Sequence, residues 1–162
     1  MNAPAAVRFE DLVPEFEALR ERFPPGFSSS LVLPCLRRLQ EVHGRVEDVD
    51  IASLAAYLGV PRIQIEEVLS YYSQLRREPV GRWHVEVCRN VSCSLRGAES
   101  LLDRLASKLG VAPGETRADG RFTLGTCECL GSCGSAPVVM INGAYHEHAS
   151  AEGIAALLDR IE

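Results

Sequence analysis

The chain has 162 residues, 46% of them apolar and 24% charged, with a formal net charge of −5. That length suits one domain or two small ones, the composition is ordinary for a globular protein in water, and an acidic balance without any basic run argues against a nucleic-acid binder. No apolar run approaches the ~18 residues that cross a bilayer, and Met1-Asn2-Ala3-Pro4-Ala5-Ala6 lacks the basic and apolar regions of a signal peptide, which points to the cytoplasm.

Residues 11–23 carry Leu12, Phe16, Leu19 and Phe23 at helical spacing, with Pro14 in the first turn. Pro24-Pro25-Gly26 stops this helix, and Ser28-Ser29-Ser30 can cap the next. The second helix runs to His43, with Val32, Leu36, Leu39 and Val42 on one face and Gly44 as its cap. Asp50 is expected to cap a third helix bearing Ile51, Leu54, Ala55 and Leu58, closed by Gly59. Pro61 opens a fourth, with Ile65, Val68, Leu69 and Tyr72 turned inward. Residues 1–79 therefore read as a small helical bundle.

The periodicity changes after Glu78-Pro79. Trp83, Val85 and Val87 alternate with His84, Glu86 and Cys88, the pattern of a strand that ends at Cys88. Residues 94–109 read as one amphipathic helix carrying Leu95, Ala98, Leu101, Leu102, Leu105 and Leu109, ended by Gly110. Pro113-Gly114 and Asp119-Gly120 mark turns. Phe122 and Leu124 open a second strand that leads into Cys127 and Cys129. Val138-Val139-Met140-Ile141 is a buried strand, Asn142-Gly143 a hairpin turn, and Ala144-Tyr145-His146 the return strand. Ile154, Leu157, Leu158 and Ile161 line a final helix. The expected fold class is α+β: the N-terminal helical bundle, then a small α/β layer over residues 80–162 reminiscent of thioredoxin-like folds.

Five of the six cysteines fall in this second part. Cys88 and Cys93 bracket a strand-to-helix loop, and Cys129 and Cys133 form a second close pair. Two local pairs suit a [2Fe–2S] cluster, which takes two thiolates on each iron. Free N–H groups at a helix start can donate to sulfur, and the helix dipole favours negative charge there. Gly131 and Gly134 would let the backbone approach inorganic sulfide. The same spacings allow a tetrahedral zinc ion or a disulfide or redox pair. Cys127 competes with Cys129: if the strand persists to Cys129, side chains two apart share a face and geometry does not choose, although the shorter loop to Cys133 favours Cys129. Cys35 reads as a buried thiol. His43, His84, His146 and His148 lack spacing partners. No G-x-G-x-x-G follows a strand and no P-loop is present, so the sequence shows no dinucleotide-binding fingerprint.

These motifs carry a resemblance. Cys88-x4-Cys93 with Leu95-Arg96-Gly97-Ala98-Glu99, Gly120-Arg121-Phe122-Thr123-Leu124, Cys129-Leu130-Gly131-Ser132-Cys133 and Ala136-Pro137-Val138-Val139-Met140 resemble the thioredoxin-like [2Fe–2S] ferredoxin family. Its best-known members are the 24 kDa subunits of respiratory complex I. Gln40-Glu41-Val42-His43-Gly44, Leu58-Gly59-Val60-Pro61 and Tyr71-Tyr72-Ser73-Gln74-Leu75 resemble the family's helical segment. The resemblance implies that Cys88, Cys93, Cys129 and Cys133 hold one [2Fe–2S] cluster, and that Cys127 is structural. It also implies an electron-transfer subunit of an NADH-linked oxidoreductase, complex I first. The equivalent subunit of a soluble NAD-dependent formate dehydrogenase or NAD-reducing hydrogenase is the alternative. FMN and NADH are then expected on a flavoprotein partner that the helical bundle docks against, among other subunits. The chain would be cytoplasmic, and peripheral to the inner membrane in complex I, without inserting into it.

Overall fold

The structure, a computed structural model, describes residues 7–161. The chain divides into two compact units at the Pro79–Val80 bond.

The first unit contains α1 (Phe9–Arg20), α2 (Val32–His43), α3 (Asp48–Leu58) and α4 (Arg62–Tyr71), with a 3-10 turn at Ser28–Leu31 leading into α2. Its core is formed by side chains such as Phe16, Leu36, Leu39, Ile51, Leu54 and Ile65, all without solvent exposure. Full burial of each contributes about 1.5–3 kcal/mol. Helices α1 and α3 begin in the same way. A carboxylate at the third helical position accepts the N–H of the residue before the helix: Asp11 from Arg8, and Asp50 from Glu47, each at 2.9 Å. Asp50 thus caps α3 from inside its first turn rather than from the preceding position. It also holds His43, the last residue of α2, whose Nδ1 lies 3.1 Å from Asp50 Oδ1 while Nε2 lies 2.9 Å from the Val7 carbonyl. Two expectations shift. Phe23 lies beyond the end of α1, and Tyr72 does not point inward. α4 stops at Tyr71 and Tyr72 is extended, so Tyr72 leaves the row of Ile65 and Leu69 and stays 42% exposed.

The second unit is a five-stranded sheet in the order β2-β3-β1-β4-β5. β1 (Trp83–Cys88) and β3 (Phe122–Cys127) run parallel, joined through α5 (Val91–Leu95) and α6 (Ala98–Leu109). β4 (Val139–Ile141) lies antiparallel to β1 and forms a hairpin with β5 (Ala144–His146); α7 (Ala151–Ile161) ends the chain. β2 is a two-residue edge strand, Glu115–Thr116, between the turns read from sequence. Strand alternation puts Val85, Val87, Leu124, Val139 and Ile141 on one face, in a core shared with Leu101 and Leu105 of α6 and Ile154 and Leu158 of α7. His84, Glu86, Cys88, Thr123 and Cys127 occupy the other face.

The predicted single helix over 94–109 is two helices. Gly97 has φ +90, a left-handed conformation that breaks the chain's helical path between α5 and α6. The break separates two needs. α6 must turn Ala98, Leu101, Leu105 and Leu109 onto the sheet, whereas α5 must turn Cys93 inward. Leu95, read as part of the apolar face, is therefore 83% exposed.

Candidate metal centre

The end of the sheet at which β1 and β3 finish carries the cysteines. Cys88 is the last residue of β1 and Cys127 the last of β3, and the parallel register sets them directly opposite each other. The ladder continues one step beyond, with Arg89 N–H donating to the Cys127 carbonyl at 3.0 Å and Cys88 N–H to the Val138 carbonyl at 3.1 Å. Cys88 is buried, and its thiol points to the Glu128 carbonyl at 3.9 Å.

From Cys88 the chain turns through Asn90, whose side chain accepts the Val91 N–H at 2.9 Å and starts α5. Ser94 Oγ ties the helix back to the Arg89 carbonyl at 2.9 Å. Cys93 is 2% exposed. Burial raises its thiol pKa, as does hydrogen bonding with the Cys88 thiol, while the Val138 N–H favours the thiolate; Cys133 is close enough to add its charge. Cys88 and Cys93 are thus neighbours, and α5 packs on the 3-10 turn Cys133–Ser135. At five residues, α5 has little of the dipole expected at this point. Individual N–H donors supply the polarity instead.

β3 ends at Cys127, so Cys127 and Cys129 do not share a strand face. Cys127 is 3% exposed, and burial above all, then the charges of Glu86 and the neighbouring cysteines, pushes its thiol up to about 12. Cys129 lies in the following loop and is exposed, as is Cys133. Gly131, at φ +73, turns its N–H onto Cys129 Sγ at 3.3 Å. Leu130 is buried and anchors the loop between the two cysteines. Ser132 Oγ donates to Glu147 and lies 2.8 Å from Ser135 Oγ. These two hydroxyls hold the Glu147 carboxyl below the usual carboxylate range. Neither Ser132 nor Glu147 stood out in the sequence, since neither belongs to a periodic pattern.

The donor set fits a binuclear cluster: four thiols in two pairs, with backbone N–H groups aimed at Cys93 and Cys129. Cys35 lies in the other unit, fully buried, and burial pushes its thiol to about 12. His43 and His84 are occupied by Asp50 and Glu86.

A mixed sheet with cysteine pairs at the ends of its parallel strands defines a ferredoxin-class domain of the thioredoxin-like kind. The profile described as thioredoxin-like [2Fe-2S] ferredoxin matches residues 16–162, and the chain belongs to that family. It is 41% identical to an NADH-quinone oxidoreductase subunit of Rhizobium meliloti (strain 1021), across 90% of this chain and 85% of that one. It is 39% identical to the corresponding NADH-quinone oxidoreductase subunit of Escherichia coli (strain K12), across 79% of this chain and 77% of that one. Among solved structures, an NAD+-reducing [NiFe]-hydrogenase in the air-oxidized state is similar at TM-score 0.64 and 26% identity, over 78% of this chain. The chain spans 22% of that hydrogenase chain.

Proposed function

We propose that this chain is the electron-transfer subunit of an NADH-quinone oxidoreductase, with Cys88, Cys93, Cys129 and Cys133 holding one [2Fe–2S] cluster. The observation that carries the reading is the family match over residues 16–162, in a chain whose relatives are subunits of that oxidoreductase, and the packing of α5, which bears Cys93, on the turn that begins at Cys133 supports it. Such a cluster supplies one-electron redox chemistry at a potential tuned by its surroundings.

The chain's own residues do the rest. Cys88 and Cys93, buried on β1 and α5, form the inner pair; Cys129 and Cys133, on an exposed loop, form the outer pair. N–H groups of Gly131 and Val138 stabilise the thiolates. Leu130 and Ala136, both buried, keep water from the inner side of the loop. Cys127 serves packing beside the ligands. Hydride delivers two electrons, so the flavoprotein partner holds FMN and NADH, and the helical unit docks on it. No helix among the described residues is long and apolar enough to cross a membrane; attachment to the membrane runs through other subunits of the complex.

Anaerobic reconstitution tests the reading. The chain should bind about two irons and two acid-labile sulfides, with a visible absorbance band and an electron paramagnetic resonance signal on reduction. Stoichiometric zinc without labile sulfide would refute it. The hydrogenase likeness favours a second reading, the equivalent subunit of a soluble NAD-reducing enzyme. Co-purification from the native host separates the two: quinone-reducing membrane subunits support the first, a nickel- or molybdenum-containing subunit the second.

A further inference from the structure

The segment after β5 touches the ligand loop in a way that packing alone does not require. His148 N–H donates to the Ser135 carbonyl at 2.7 Å, and Ala149 N–H donates to the Pro137 carbonyl at 2.8 Å. Between these backbone ties and β5 sits Glu147, an exposed acid whose natural partner is water. Instead it accepts the hydroxyl of Ser132, the residue directly before Cys133. Ser135 completes the set: its N–H donates to the Ser132 carbonyl at 3.1 Å, and its hydroxyl lies between that carbonyl, also at 3.1 Å, and the Glu147 carboxylate.

The position of Ser132 makes this bond consequential. It lies between Gly131, which donates to Cys129 Sγ, and Cys133. A serine hydroxyl there has one hydrogen to give. Given to sulfur, it stabilises the extra negative charge of a reduced cluster and raises the potential. Given to a carboxylate, it is withdrawn from sulfur, and the carboxylate adds its own negative field.

We propose that Glu147 is a positioning residue for electron transfer: it captures the Ser132 hydroxyl, fixes the outer ligand loop, and keeps the reduction potential of this centre low. The inference rests on the ligand assignment above. It involves no new substrate and no proton transfer; the couple remains a one-electron exchange.

The test is a double-mutant cycle on the full-length chain, reconstituted anaerobically and titrated with electron paramagnetic resonance detection. Glu147→Ala should favour the reduced form by up to about tenfold, an upward shift of up to ~59 mV for one electron. Ser132→Ala should remove most of that shift in the double variant, because no hydroxyl is left to turn toward sulfur. Glu147→Gln, which keeps an acceptor for Ser132, should shift less than half as far as Glu147→Ala. A Glu147→Ala value within twofold of the wild type overturns the proposal. So does a shift of the same size with and without Ser132, since that would be a field acting directly from the charge. If Glu147→Ala holds iron poorly, the same cycle is read in the half-life of the visible absorbance. Ser132→Ala and Glu147→Ala then shorten it equally and the double variant no further, whereas additive shortening counts against the idea. A wild-type chain that takes up no iron and sulfide would bring down the ligand assignment itself; a normal wild type with a flat cycle would remove only the role of Glu147.

Discussion

Replacing Cys127 and Cys129 one at a time by serine separates packing from ligation, because the two thiols lie two residues apart in opposite environments. Cys127 is 3% exposed on the last position of β3, opposite Cys88. A serine there loses the apolar sulfur and buries a hydroxyl without an evident partner, at a cost of about 1–3 kcal/mol. In a unit of this size that lowers the melting temperature by roughly 5–20 °C. Cys129 is exposed in a loop, and serine in its place should leave the metal-free fold within ~0.5 kcal/mol of wild type. The metal-binding consequences run the other way. Cys129→Ser should lose iron or change its spectrum, since a serine oxygen is a harder donor than thiolate. Cys127→Ser should keep full iron and sulfide and an unchanged resonance signal. The assay pairs metal analysis of the reconstituted proteins with thermal unfolding of the metal-free ones, followed by the fluorescence of Trp83. This is the chain's single tryptophan, and it lies on β1 of the second unit. Loss of iron in Cys127→Ser with retention in Cys129→Ser would show that the wrong thiol has been placed in the ligand set.

Gly81→Ala should destabilise the second unit by more than ~1 kcal/mol, because its methyl would sit 2.8 Å from the Phe122 carbonyl carbon, a backbone atom that cannot move aside. Gly125→Ala is the milder control, as its nearest neighbour is the His84 ring at 3.3 Å; urea midpoints by Trp83 fluorescence should rank the two in that order. His43 makes the first unit pH-sensitive. Burial opposes its charge, but the Val7 carbonyl and the Asp50 carboxylate outweigh it and raise the pKa above its ordinary value. A raised folded-state pKa gives stability that is fully present below the unfolded value of about 6.5 and lost as pH rises through the folded one. The advantage of wild type over His43→Gln in denaturant midpoint, followed by circular dichroism, should therefore shrink from pH 5.5 to pH 9; a constant gap would contradict the assignment. The isolated chain should neither bind NADH at micromolar concentration by calorimetry nor be reduced by it until the flavoprotein is added.

Much of this was legible in the sequence because hydrophobic period and cysteine spacing are local signals. The faces of α2 and α6 follow from Leu36 and Leu39, and from Leu101 and Leu105, at helical intervals. The strand ending at Cys88 follows from the alternation of Val85 and Val87. What was not legible depends on single backbone conformations or on distant partners. An amphipathic pattern runs on smoothly past Gly97, and only its left-handed φ shows that Cys93 and Leu101 belong to different helices. Whether β3 extends two residues further was not legible either; it stops at Cys127, so Cys127 and Cys129 do not share a strand face. Asp50 was read as a simple cap, whereas its side chain reaches His43, seven residues back. Glu147 gave no signal at all, since its partner Ser132 is fifteen residues away in the chain.

The contrast between the buried Cys88 and Cys93 and the exposed Cys129 and Cys133 also governs how this protein meets reagents from outside. In the metal-free chain an alkylating probe finds two open thiols and four shielded ones. Brief treatment with iodoacetamide should mark the 129–133 loop alone, and Cys88, Cys93, Cys127 and Cys35 should take label only as the surrounding units open. Bound metal should mask the outer pair first in such a footprint. Peptide mapping before and after reconstitution therefore reads occupancy and local opening from one sample. The same asymmetry makes the outer loop the side from which air and chelators attack, so its closure sets how long the protein survives handling.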